Sequence, residues 1–242
     1  MDNTKLNPGD SFPLLSSVVP PLPESSRRIY VLRHGETEWN AKGKIQGGGF
    51  DIPLNENGRT QAMAVKKAME DIPLTLVASS TLSRARETAD ILREGHPACQ
   101  RILDAGFKEM SFGEFEGLAA HSLELDPKVK SRFKRIGEEI KHDIEAKFPG
   151  GGESTAEVEK RSTKALDKIL QDFPEEKHIA VVSHGRTNKV LLASVVLNDV
   201  QKFPTIRQSN TCINVFDIDE DGNVGIQILN YIDHVKDNVI IR

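Results

Sequence analysis

Short apolar runs alternate along the chain with stretches whose apolar residues recur at helical spacing, as expected of strands separated by amphipathic helices. Ile29–Leu32, Pro73–Ser80, Arg101–Leu103 and His178–Ser183 read as four short strands. After the first, Ala62, Val65, Met69 and Ile72 share one helical face, with Asn55 placed to cap the helix. Thr81 to Glu94 predicts a second helix with Ala85, Thr88, Ala89 and Leu92 inward, ended by Gly95. Ser154 and Glu157 form a capping box that opens a long helix, whose stripe is Val158, Ala165, Leu166, Ile169, Leu170 and Phe173. A strongly apolar helix is expected from about Lys189 to Leu197.

Two stretches break this rhythm. Asp104–Gly117 has no clean period, contains Gly106, Gly113 and Gly117, and reads as a loop. Leu118–Phe148 reads as helical but lightly apolar, with Val129, Phe133, Ile136, Ile140 and Ile144 set among lysines and glutamates, which suits a cap better than a core helix. Near the end, alternation on both sides of Asp221–Gly222 predicts a β-hairpin turning on that pair. The expected fold class is therefore α/β: a mainly parallel sheet with helices on both faces, a small helical cap insertion over residues 118–152 and a C-terminal β-hairpin. Sheets of this kind bind ligands beyond the carboxyl ends of their strands.

A length of 242 residues fits one such domain over 27–242, preceded by a Pro- and Ser-rich segment, 1–26, read as a mobile N-terminal tail. Leu14, Leu15, Val18 and Val19 give that tail something to dock with. A net charge of −4 argues against a nucleic-acid partner. Two cysteines suggest a reducing compartment, so a cytoplasmic location is expected, and no apolar stretch is long enough to predict a transmembrane helix or a membrane partner. Oligomeric state leaves no readable pattern.

Two apolar strands each deliver His-Gly at the carboxyl end, in "IYVLRHG" and "IAVVSHG". If these strands are neighbours, His34 and His184 face one cavity, with Arg33 beside the first. Arg84 sits in the first turn of the helix that follows "VASS". Two guanidinium groups, two imidazoles and helix N-termini converging on one point describe an anion pocket, and arginine's planar fork suits phosphate. A neutral His34 ring can attack phosphorus to give a phosphohistidine, provided the other ring N–H is held, with a backbone carbonyl as the expected orienter. Arg33, Arg84 and His184 would stabilise the equatorial oxygens. An acid is needed for the leaving oxygen, and Glu109, Glu114 and Glu116 all lie in the third loop, the first closest to its strand. His121, His142 and His178 show no metal-ligand spacing, so no metal site is expected.

Together, "RHGETEWN", "SRARETA", "EMSFGEFEG", "GGES" and "VVSHG" resemble the histidine phosphatase superfamily, also called the phosphoglycerate mutase-like family, from Arg28 to about His234. The resemblance implies the phosphoglycerate mutase-like fold, His34 as the phosphorylated nucleophile, and Arg33, Arg84 and His184 as the phosphate pocket. It implies Glu109 as proton donor, Asn40 and Gln46 as contacts to phosphate or substrate, Thr37 and Gly185 in the same lining, and no cofactor. The family contains mutases and phosphatases. "KIQGGGF" and "FKEMSFGEFEG" depart from the mutase motifs, and the stretch from Glu109 to His184 is short for a mutase. These departures favour a phosphomonoesterase acting on a small phosphorylated metabolite. The alternatives are a cofactor-dependent phosphoglycerate mutase and a non-catalytic phosphate-binding interaction module, the latter disfavoured because every pocket residue is present. Arg186, just after the second His-Gly, falls near the mouth, where it could read an acidic substrate group.

Overall fold

The computed structural model describes residues 13–119 and 126–235. Strands β1 (Ser26–Arg33), β2 (Leu76–Ser79), β3 (Gln100–Leu103), β4 (His178–Ser183), β5 (Ile213–Asp219) and β6 (Val224–Tyr231) form one sheet in the order β3-β2-β4-β1-β5-β6. The first four run parallel, while β5 and β6 are antiparallel at one edge. Central strands of a sheet covered on both sides read as continuous apolar runs, as β1 and β4 do.

Helices α1 (Glu38–Ala41), α2 (Glu56–Ala68), α3 (Ser83–Glu94), α4 (Pro127–His142), α5 (Thr155–Asp172) and α6 (Gly185–Val195) complete the domain. Alternate β1 residues divide between two cores. Tyr30 and Leu32 pack with Val65, Met69, Ala85, Ala89 and Leu92 of α2, its C-cap and α3. Ile29 and Val31 pack with Leu166, Ile169, Val190 and Leu191 of α5 and α6. The expected inward faces of α2, α3 and α5 are thus the buried ones. Asn55 caps α2 by accepting from Gly58 N, and Ser154 and Glu157 make the reciprocal box at α5. Among the described residues, no helix is long and apolar enough to cross a membrane.

Some boundaries differ from expectation. Helix α6 starts at Gly185, four residues before Lys189, because its first turn is polar and faces a loop rather than the core. Helix α4 is shorter than 118–148: Asp126 caps its start, and Asp143 ends it in an extended conformation, while the expected helix over 120–125 lies outside the described residues. The hairpin is closed by a longer loop than the Asp-Gly pair alone. Gly222 (φ +81°) takes the left-handed position, and Asp219 bonds to both Gly222 and Asn223.

The chain before β1, expected as a mobile tail to residue 26, is docked over its described part. Leu15 and Val19 are buried among Tyr30, Leu32 and Tyr231, and Pro20 O accepts from Arg28 Nη1 at 2.7 Å. Two aliphatic side chains entering an apolar face outweigh the polar composition around them. Arg28 also forms a two-pronged ion pair with Asp217 on the facing strand, at 2.7 and 2.8 Å, with both side chains buried. Removing one partner strands the other charge away from water. Asp217→Ala is therefore expected to lower unfolding free energy by about 3–5 kcal/mol, read from the urea midpoint; an unchanged midpoint would refute it.

Candidate active site

The sheet register places the two histidines together. Arg33 pairs with Ser183 across the parallel β1–β4 ladder, so both strands end at one level and both chains continue into His-Gly. His34 N donates to Ser183 O at 3.0 Å, continuing the ladder one step. The two imidazole rings lie 5.0 Å apart, tilted by 57°.

Each ring is held by a different device. His34 Nδ1 lies 2.6 Å from Gly35 O, so Nδ1 carries the proton and Nε2 keeps its lone pair. Burial pushes the His34 pKa well below its ordinary value, and the charges of Arg84 and Arg33 push it further. His184 accepts from Arg84 Nε at Nδ1 (3.2 Å) and donates from Nε2 to Ser80 Oγ (2.8 Å). Its pKa is also driven well down, by burial first and then by Arg84 and His34. Both rings are therefore neutral.

Arg84 is fully buried, and burial lowers its pKa to about 10, which leaves it charged at neutral pH. Its Nη1 and Nη2 donate to Phe50 O (3.1 Å) and Gly47 O (3.2 Å). Gln46 lies between Arg84 and Thr37; with its amide turned to satisfy both, Nε2 donates to Thr37 Oγ1 (2.5 Å) and the oxygen accepts from Arg84 Nε and Nη1 (3.1 and 3.0 Å). Arg33 Nη1 donates to Gln208 O at 2.7 Å, and a Cβ on Gly185 would come within 3.4 Å of Arg33 Nε. The Arg33 guanidinium thus lies beside Gly185 at the start of α6.

The three glutamates of the third loop separate clearly. Glu109 is buried against the first turn of α6, where Oε1 accepts from Thr187 N (3.0 Å) and Oε2 from Arg186 N (3.1 Å). That turn begins directly after His184. Glu114 is on the surface, ion-paired with Arg132 of α4. Glu116 accepts from Gly49 N (3.0 Å) and Phe112 N (2.9 Å), tying the glycine loop after Gln46 to the loop of Glu109. The same loop is braced from α5: Arg161 donates to Gly106 O and Lys108 O, both at 2.7 Å, and pairs with Glu153.

Other expected residues lie less directly at the pocket. Thr37 caps α1, and Asn40 Oδ1 accepts from Thr37 N and from Asn210 Nδ2, each at 3.2 Å. Asn210 also reaches His34 O, so these side chains brace the loop that carries the first histidine. Trp39 packs over Gly117 and against Phe50. Sequence reasoning missed Ser80, Thr187, Gln208 and Asn210. Ser80 was within reach, since it ends a strand that the sequence already placed. Gln208 and Asn210 lie in an irregular segment with no local signal.

The family profile described as Histidine phosphatase superfamily (branch 1) matches residues 29–230. The chain belongs to this superfamily. Phosphoglycerate mutase-like protein 4 of Arabidopsis thaliana is 32% identical over 217 residues, covering 88% of this chain and 89% of that protein. A probable phosphoglycerate mutase GpmB of Erwinia tasmaniensis is 34% identical over 169 residues, covering 70% and 74%. Among solved structures, a mycobacterial glucosyl-3-phosphoglycerate phosphatase complexed with VO3 superposes with a TM-score of 0.75 at 26% identity, over 85% of this chain and all (100%) of that one. YhfR of Bacillus stearothermophilus superposes with a TM-score of 0.72 at 27% identity, over 86% and 98%. The names of these relatives include a phosphatase, a probable mutase and a mutase-like protein, and the protein is a phosphoryl-transfer enzyme of this fold.

Proposed function

We propose that this protein hydrolyses phosphate monoesters of small metabolites through a phosphohistidine on His34. The observation that carries the reading is the neutral His34 ring, its Nδ1–H locked on Gly35 O, set 5.0 Å from His184 and beside two arginines. In the first step the Nε2 lone pair forms a bond to phosphorus as the ester P–O bond breaks, and Glu109 gives a proton to the leaving alcohol oxygen. In the second, water attacks the phosphohistidine, Glu109 takes the proton of that water, and the P–N bond breaks to release inorganic phosphate. Arg33 and Arg84 meet the equatorial oxygens, and His184 joins them by turning its Nε2–H from Ser80 Oγ to the phosphoryl group. Gln46 keeps Arg84 in place, while Thr37, Asn40 and Gly185 shape the pocket wall.

Hydrolysis is favoured over mutase action by the departures at "KIQGGGF" and "FKEMSFGEFEG", and by the mycobacterial phosphatase among the superposed structures. The curated relatives named as mutases keep the second reading in view. An assay of 3-phosphoglycerate isomerisation beside phosphate release from a panel of phosphorylated metabolites separates the two; isomerisation outpacing release would overturn the hydrolase reading. Glu109 has its own test. Glu109→Gln is expected to slow alkyl phosphates by roughly 10²–10⁴-fold, while 2,4-dinitrophenyl phosphate, whose leaving group needs no proton, is slowed far less. Equal losses on both substrates would remove Glu109 from the acid role.

A further inference from the structure

The carbonyl that holds the His34 proton belongs to a glycine, the residue least able to keep its own conformation. No larger residue fits there. A Cβ on Gly35 would lie 2.3 Å from Gly58 O, and one on Gly58 would lie 2.0 Å from Glu36 O, so the first turn of α2 presses directly on this segment. What keeps the Gly35 carbonyl aimed at Nδ1 must therefore come from outside the residue.

Two buried side chains supply it. Before the Gly35 α-carbon, Gly35 N donates to Thr88 Oγ1 at 3.1 Å, and that hydroxyl donates on to Arg84 O at 2.8 Å. After it, Glu36 N donates to Gln61 Oε1 at 2.8 Å. Gln61 and Thr88 are each 1% exposed, so water does not compete for these bonds. A trans peptide is planar, and its N–H and C=O point in opposite directions. Holding Glu36 N–H on Gln61 therefore fixes the Gly35 C=O of the same peptide, and the two hydrogen bonds polarise it in one sense. Thr88 fixes the preceding peptide and, one turn after Arg84 on α3, ties the nucleophile to the helix that carries that arginine. The reach of Gln61 is set from the start of α2, where Asn55 N donates to Glu36 O, and Asn55 and Asn57 Nδ2 donate to Glu36 Oε1 at 2.8 and 3.2 Å.

We propose that Gln61 and Thr88 are positioning residues for the nucleophile: by clamping the N–H groups on either side of the Gly35 α-carbon, they keep the His34 proton on Nδ1 and the Nε2 lone pair available. This rests on the reading of His34 as the group that attacks phosphorus. Without the clamp the carbonyl swings, the ring samples its other tautomer, and an Nε2 that carries the proton cannot attack.

The resting protein gives the first test. Long-range ¹H–¹⁵N spectra of histidine-labelled protein read which ring nitrogen of His34 is protonated, with the His34 signals assigned by their loss in His34→Ala. Wild type should show Nδ1–H alone. Gln61→Met keeps the side-chain length without the acceptor, and Thr88→Val keeps the shape without the hydroxyl; both should show Nε2–H mixed in. With enzyme in excess, the p-nitrophenol burst from p-nitrophenyl phosphate reads the attack of His34, since this leaving group needs little help from an acid. That burst should be roughly tenfold or more slower in both variants, the scale of a small misplacement of a reacting group. Thr88→Ser, which returns the hydroxyl, should restore both tautomer and rate. If Gln61→Met does not fold, the Thr88 pair decides alone. A single unmoved tautomer in the folded variants overturns the proposal even where the burst is slower, and so does Thr88→Ser behaving like Thr88→Val. Failure of the hydrolase reading looks different: the burst would persist in His34→Ala, or be missing from wild type, while the resting tautomer still followed Gln61 and Thr88.

Discussion

Replacing His34 with alanine is expected to lower turnover of any phosphate ester by roughly 10⁴-fold or more, since removing a nucleophile abolishes the covalent route and leaves only binding and electrostatics. The geometry accounts for the size of the effect. Of the two rings that meet at the strand tips, His34 is the one whose Nδ1 proton is fixed on a backbone carbonyl and whose Nε2 is left unprotonated. His184 cannot substitute, because Arg84 occupies its Nδ1 and Ser80 receives its Nε2 proton. Acid quench of the wild-type protein during turnover of a ³²P-labelled ester should lose label, and alkaline quench should retain it, as a phosphohistidine requires. Turnover in His34→Ala within tenfold of wild type would end the mechanism.

Acid should unfold this protein steeply. His34, His184 and His234 are all buried, and burial holds each below its ordinary pKa, His234 at about 4 and the other two well below the reference value. In the unfolded chain the same rings titrate near pH 6.5. Above that pH neither state binds these protons, and they contribute no pH dependence. As pH falls through 6.5 the unfolded chain takes up about three protons that the folded chain refuses, so stability should fall by about 4 kcal/mol per pH unit at the steepest. The contribution of His234 ends near pH 4, where the folded ring also protonates. Urea midpoints at pH 7, 6 and 5 would show the slope; a flat series would contradict it. Activity should behave differently. Because the folded His34 ring stays neutral, kcat/KM should show no loss attributable to this ring until pH is well below 6.5, so the limit in acid is set by unfolding before it is set by the nucleophile.

The strands, the three longer helices of the two sheet faces and the paired His-Gly tips were legible from local pattern alone. Apolar spacing and caps such as Asn55 and Ser154 act within a few residues, so the order of elements follows from them. The pattern failed where a residue answers to something distant in sequence. Gly185 to Asn188 show no apolar period because that turn serves Glu109, and the helix start was therefore read too late. Leu15 and Val19 sit in a segment whose composition suggests a loose tail, and only the apolar face beside Tyr231 gives them a place.

The candidate chemistry divides in the same way. Residue types and their places were determined by the sequence: Arg33, His34 and His184 at strand tips, Arg84 in the first turn of a helix. Their proton states were not. Which nitrogen of each ring is protonated depends on Gly35 O, Ser80 and Arg84, and the last two arrive from the end of β2 and the first turn of α3. Nor could three glutamates in one loop be told apart by spacing, until the folded loop gave one to the helix start, one to Arg132 and one to the glycine loop. Sequence fixes which groups are carried and which face of each element they share; burial and long-range hydrogen bonds, which exist only once the sheet has closed, decide their charge and orientation.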